Sequence, residues 1–65
     1  MWIISKKYGA FNTDNVSAIT PPDPTNDWFV LAHATGRYFR VAEGDDNYQK
    51  ILTAVANNDS IVEVS

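Results

Sequence analysis

The sequence predicts an α+β fold, an antiparallel sheet of four or five strands in the order β-β-β-β-α-β with one helix packed on one face. Three observations predict it. Short runs of bulky and β-branched residues recur between turn signals at Gly9, residues 21–26 and Thr35-Gly36. Tyr48, Ile51, Leu52 and Val55 fall at the helical spacing i, i+3, i+4, i+7. Acidic residues precede that stretch and Asn57-Asn58 follow it, which are start and stop signals for a helix.

Trp2, Ile3, Ile4 and Ser5 form the first expected strand, because bulky β-formers crowd it. Lys6-Lys7-Tyr8-Gly9 is the turn after it, with Gly9 free to take positive φ. Phe11 reopens extended structure. Residues 12–15 form a local turn, since Asn, Thr and Asp side chains bond nearby backbone. Residues 16–20 are the second strand. Three prolines within residues 21–26 remove backbone donors and stiffen the segment, which reads as one long hairpin connection. Residues 28–34 form a third strand, apolar at nearly every position. Thr35-Gly36 is a two-residue turn, and residues 37–42 form the fourth strand. Glu43-Gly44 breaks the extended pattern. Asp46 with Gln49 resembles a capping box, with Asp45 as the other candidate cap. Asn57-Asn58 can stop the helix in the left-handed conformation. Residues 61–64 are a fifth strand or an extended tail. Trp28, Phe39, Ile51 and Leu52 are the expected core.

Residues 1–65 read as a single small domain, near the lower size limit for folding unaided. Domains this small commonly lean on disulfides, a metal or a partner. The chain has no cysteine and one histidine, His33, which excludes disulfides and argues against a structural zinc. A partner, or a second copy in a homodimer, is the remaining source of help. Net charge is −3, from five basic and eight acidic residues. Phosphate contacts need clustered Lys and Arg, so direct nucleic-acid binding is not expected. No segment is long or apolar enough to span a membrane. Met1-Trp2-Ile3-Ile4-Ser5 is too short for a signal peptide, and the expected location is cytoplasmic.

No catalytic constellation stands out, so an enzyme is not expected. His33 lies mid-strand with no serine or cysteine nucleophile beside it in sequence. Asp14, Asp45, Asp46 and Asp59 lack the ligand spacing of a calcium loop. No metal and no cofactor is expected.

The 28–42 hairpin is the informative feature. A two-residue loop at Thr35-Gly36 pairs Ala34 with Arg37, His33 with Tyr38, Ala32 with Phe39, Leu31 with Arg40 and Val30 with Val41. Direct cross-strand partners share a face. One face then carries Trp28, Val30, Ala32, Phe39 and Val41, and the other carries Phe29, Leu31, His33, Tyr38 and Arg40. One helix covers one face, and the first set is the more apolar. The second set is left outside, with the aromatic, aliphatic and Arg composition of a protein-contact surface. The competing expectation is that the terminal strand or the proline loop folds over it. A bulge at Gly36 would shift the register.

Phe11-Asn12-Thr13-Asp14-Asn15-Val16-Ser17-Ala18-Ile19 is similar to the aromatic-Asn-x-Asp-x-Val-x-x-Ile segment of several small bacterial and phage proteins. The later order also fits: a strand, a short Gly turn, Arg37-Tyr38-Phe39-Arg40-Val41 and an acid-capped helix. The chain resembles the small FlbD-like flagellar family and short proteins of Gram-positive bacteria and their phages. That resemblance implies a meander plus helix and an accessory, non-enzymatic role. The expected function is a small protein-interaction module, binding a protein partner or itself. The alternative is an acidic phage-type inhibitor that occupies a nucleic-acid-binding groove on a host protein, which clustered acids at Asp14, Asp23, Asp27, Glu43, Asp45 and Asp46 would favour.

Overall fold

The computed structural model describes residues 1–65. The chain is α+β, as expected, but it has six strands in two three-stranded sheets instead of one sheet of four or five. The strands are β1 (Trp2–Ser5), β2 (Gly9–Asn12), β3 (Ala18–Thr20), β4 (Phe29–Ala34), β5 (Arg37–Glu43) and β6 (Ile61–Val64). The helix α1 is Asp45–Ala56. The first sheet has the order β2-β1-β6 and the second β3-β4-β5. β1 and β4 lie in the middle of their sheets, where both of their edges are paired.

Two strands differ from expectation. Residues 9–12 form β2, antiparallel to β1 with Ile3 opposite Phe11. The last strand, β6, runs parallel to β1, with Ile3 opposite Val62. A parallel pair needs a crossover connection. Here α1, following β5, carries the chain from the second sheet to the first.

The β4–β5 turn forms as its residues require. Thr35 has φ 51° and Gly36 φ 74°, the positive pair of a type I′ hairpin turn. From it the register runs as expected through Leu31 opposite Arg40, with no bulge at Gly36. Val30 then pairs with Ala42 instead of Val41, so Val41 is the extra residue of a β-bulge. The bulge turns both Val41 and Ala42 inward, and both are fully buried.

The core gathers Ile3 and Val64 from the first sheet, Val30, Ala32, Val41 and Ala42 from the second, and Ile51 from α1. Phe11 meets Phe39 edge-on between the sheets, with ring centroids 5.0 Å apart. The helix therefore closes a core shared by two sheets and packs against β6, β5 and β4.

Three expected core residues are not buried. Trp28 is 57% exposed, Leu52 41% and Phe39 38%. Trp28 lies just outside β4 at φ 65°, which turns it away from the sheet. Leu52 is displaced because α1 presents a different stripe: Asn47, Ile51 and Ala54 are buried, Tyr48 is half-buried and Val55 is exposed. Asn47 explains the rotation. Its Nδ2 donates to the carbonyls of Glu43 (2.9 Å) and Ser65 (3.2 Å), and its Oδ1 accepts from the Ser65 backbone N–H (3.1 Å). These bonds tie the first helical turn to the residue that follows β6.

The expected acidic cap is also absent. Gly44 is the N-cap at φ 82°, with no side-chain cap bond, while Asp45 and Asp46 occupy the first turn. There they face the positive end of the helix dipole. The stop is as read, with Asn58 left-handed at φ 56° and the Asp59 N–H donating to the Ala54 carbonyl at 2.9 Å. No helix is long and apolar enough to cross a membrane.

Candidate functional site

Alternation along β4 sends Val30 and Ala32 into the core and leaves Phe29, Leu31 and His33 on the other face. The register sets Tyr38 opposite His33 and Arg40 opposite Leu31. The five expected residues Phe29, Leu31, His33, Tyr38 and Arg40 therefore share the outer face of the second sheet, the face turned away from the core. Phe29, Leu31 and His33 are half-buried, whereas Tyr38 is 69% exposed and Arg40 is exposed.

Each end of this face is bounded by the chain's own residues. At the Phe29 end, the β1–β2 turn crosses over. The Tyr8 ring meets Phe29 edge-on with centroids 5.8 Å apart. The Arg40 guanidinium lies 4.3 Å above the same ring, a cation–π distance. Lys7 Nζ donates to Glu43 Oε1 at 2.6 Å, and the Tyr8 hydroxyl donates to the same oxygen. These donors, Lys7 first, hold the Glu43 carboxyl below the ordinary carboxylate range. Glu43 in turn raises the Lys7 ammonium, chiefly through that hydrogen bond. The segment that covers Phe29 is thus this turn, which sequence reading did not single out. Neither Lys7 nor Tyr8 carries a local signal for a contact with Glu43, 36 and 35 residues away respectively.

At the His33 end stands the proline loop. His33 Nε2 and Thr20 Oγ1 share a hydrogen bond at 3.3 Å. The loop is braced from within. Asp23 accepts from the Thr25 hydroxyl (2.6 Å), the Thr25 N–H (2.9 Å) and the Asn26 N–H (3.2 Å), and Asn26 Oδ1 accepts from the Asp23 N–H (2.8 Å). Those bonds, the Thr25 hydroxyl first, lower the Asp23 carboxyl. Asp27 and Trp28 follow in succession at φ 55° and 65°. Trp28 is pinned there by its N–H to the Asp23 carbonyl and its carbonyl to the Gly44 N–H, both 2.9 Å.

Between the loop and the sheet lies an open cleft of about 610 Å³, bordered by Pro21 and Asp27 on one side and by Leu31, His33, Tyr38 and Arg40 on the other. Four of the five sequence-derived residues line it, and Phe29 lies under the β1–β2 turn instead. Hydroxyl, imidazole, guanidinium and carboxylate groups all border the cleft, so it can exchange hydrogen bonds and ion pairs with a polar chain. His33 has a hydroxyl partner and no carboxylate hydrogen-bonded to it, and no three His, Asp or Glu side chains come together as a metal-holding group. No protein-family model, curated protein or solved structure matches this chain.

Proposed function

We propose that this chain is a non-enzymatic protein-contact module whose working surface is the outer face of the β3-β4-β5 sheet. The observation that carries the reading is that Tyr38 and Arg40 are exposed on the outer face of β5, beside half-buried Leu31 and His33, while the helix lies on the opposite side of the sheet. A sheet face that meets only water alternates towards polar residues on that side. This face instead has Leu31 and Tyr38 with Arg40 beside the Phe29 that the β1–β2 turn covers, an anchor composition for binding protein. The braced proline loop adds a preformed wall, so binding there loses little loop entropy.

The acidic-inhibitor reading rests on a different place. Asp46, Asp59 and Glu63 border one shallow depression beside α1, with Lys50 among them. Of the six acids that would have formed the cluster, Asp23 and Glu43 each commit one carboxylate oxygen to the chain's own donors. That weighs towards the contact-module reading.

The test is site-specific photo-crosslinking in the cells that make the protein. A photoreactive phenylalanine replaces Tyr38 in one variant and Gln49, exposed on the helix, in another. A discrete protein adduct at position 38 and none at 49 is the expected result. Equal labelling at both positions, or none at 38, overturns the proposal.

A further inference from the structure

β5 is an edge strand, and its outer edge is open. β4 occupies one side of it, and no strand pairs with the other. None of the backbone hydrogen bonds outside the helices and strands involves residues 37–42. The outward N–H and C=O groups of residues 37–40 thus form a template for one more strand.

Charge selects what can add there. The chain's two ion pairs are the Met1 amino group with Asp14 and Lys7 with Glu43, so Arg37 and Arg40 are in neither. A second copy is a poor occupant. Two-fold antiparallel pairing centred on Tyr38 brings Arg37 diagonally across from its own copy, and pairing centred on Phe39 does the same to Arg40, so either register sets like charges within reach of each other. The bulge at Val41 further twists the edge away from regular self-pairing.

We infer that the open edge of β5 binds an extended acidic segment of a partner protein, with the pattern acid–apolar–apolar–acid. The inference rests on the contact-module reading and names its partner chemistry. The pattern follows from alternation. Tyr38 and Arg40 lie on the outer face, and Arg37 and Phe39 on the other. A segment lying antiparallel to β5 places one acid against Arg40 on the outer face and one against Arg37 on the inner. Its two middle residues fall beside Phe39 and Tyr38. The order reads the same in either chain direction.

The probe is an acetylated, amidated peptide, Thr-Thr-Glu-Val-Val-Glu-Thr-Thr, titrated into the full chain and followed by amide NMR and hydrogen exchange. The expected result is at least tenfold slower exchange at outward amides within residues 37–40, with binding that weakens as salt rises. The isomer Thr-Thr-Glu-Val-Glu-Val-Thr-Thr, whose acids lie two residues apart and so share one face, should bind at least fivefold more weakly. Arg37→Glu with Arg40→Glu should abolish binding and accept the Lys-for-Glu peptide instead. Should that variant melt early through loss of the Arg40–Phe29 stack, Arg37→Glu alone should still cost about tenfold. Unchanged exchange at saturating peptide, equal binding of the isomer, or tighter binding by an eight-nucleotide oligothymidylate overturns the inference. An adduct at position 38 with no peptide protection at β5 would defeat this inference alone, whereas no adduct at 38 would defeat the contact-module reading itself.

Discussion

Lys7, Tyr8 and Glu43 show how single surface residues can tie two sheets together. The Glu43 carboxyl is lowered in the fold, so its stabilising contribution is complete above the ordinary carboxylate range, about pH 4–5. It is lost as pH falls through the lowered value, and Asp23 behaves the same way in the proline loop. Lys7 has the opposite sign. Its raised ammonium contributes fully below about pH 10.4 and fades as pH climbs through the folded value. Glu43→Gln should therefore flatten the acid limb of a melting-temperature profile and steepen nothing at neutral pH; an unchanged acid limb would show that the cluster contributes nothing. Thr35 offers a second test. A β-branched residue at φ 51° is strained, and Asn tolerates that conformation better. Thr35→Asn should stabilise the chain by about 1 kcal/mol in a denaturant melt. A loss of stability would mean that the turn is not of this type.

Among the elements, the helix separates what the sequence displays from what it hides. Its existence and its left-handed stop at Asn58 were legible, because helical spacing and Asn chemistry are local signals. Its buried stripe was not, because Tyr48, Ile51, Leu52 and Val55 are the more apolar set, yet the bonds from Asn47 to Glu43 and Ser65 turn the helix by roughly a quarter turn. Two consequences can be measured. Ile51→Ala empties a fully buried site and should cost about 2–5 kcal/mol, close to all that a domain of this size holds, whereas half-exposed Leu52→Ala should cost about 1 kcal/mol. Asn47→Ala should cost about 1–3 kcal/mol by removing the hydrogen bonds that its buried amide makes to Glu43 and Ser65. If Leu52→Ala unfolds the chain and Ile51→Ala does not, the helix is docked on another face. The hairpin register was legible from Thr35-Gly36 to Leu31, since turn chemistry fixes it. The bulge at Val41 has no glycine to announce it, and it leaves the outer face intact while sinking Ala42. The pairing of β6 with β1 joins the two ends of the sequence and leaves no local trace, which is why one sheet was expected where there are two.

Over the whole molecule, charge is sorted by side in a way that net charge conceals. Of the five cations, Lys6, Lys7, Arg37 and Arg40 lie on β5 or in the turn that crosses its end, while Asp45, Asp46, Asp59 and Glu63 lie on or beside α1. Glu43 on β5, Asp23 and Asp27 beside the cleft and Lys50 on α1 cut across this division, so cations gather around β5 without making one sheet face cationic. Apolar surface is exposed elsewhere too. Trp2 and Ile61 are register partners on the first sheet, and Leu52 and Val55 border a groove with Met1, Val16 and Ile19. The outer β4–β5 face is set apart from these by an arginine that forms no ion pair, an open edge and a braced loop. The most direct test of its role separates contact from folding. Leu31→Thr with Tyr38→Ser removes two side chains from the cleft and leaves the Tyr8–Phe29–Arg40 stack in place. The partner captured through position 38 is then titrated against parent and variant, alongside a denaturant melt of each. The account predicts a variant within about 1 kcal/mol of the parent in stability that has lost the partner; a variant that retains the partner at parental affinity, or that unfolds, would contradict it.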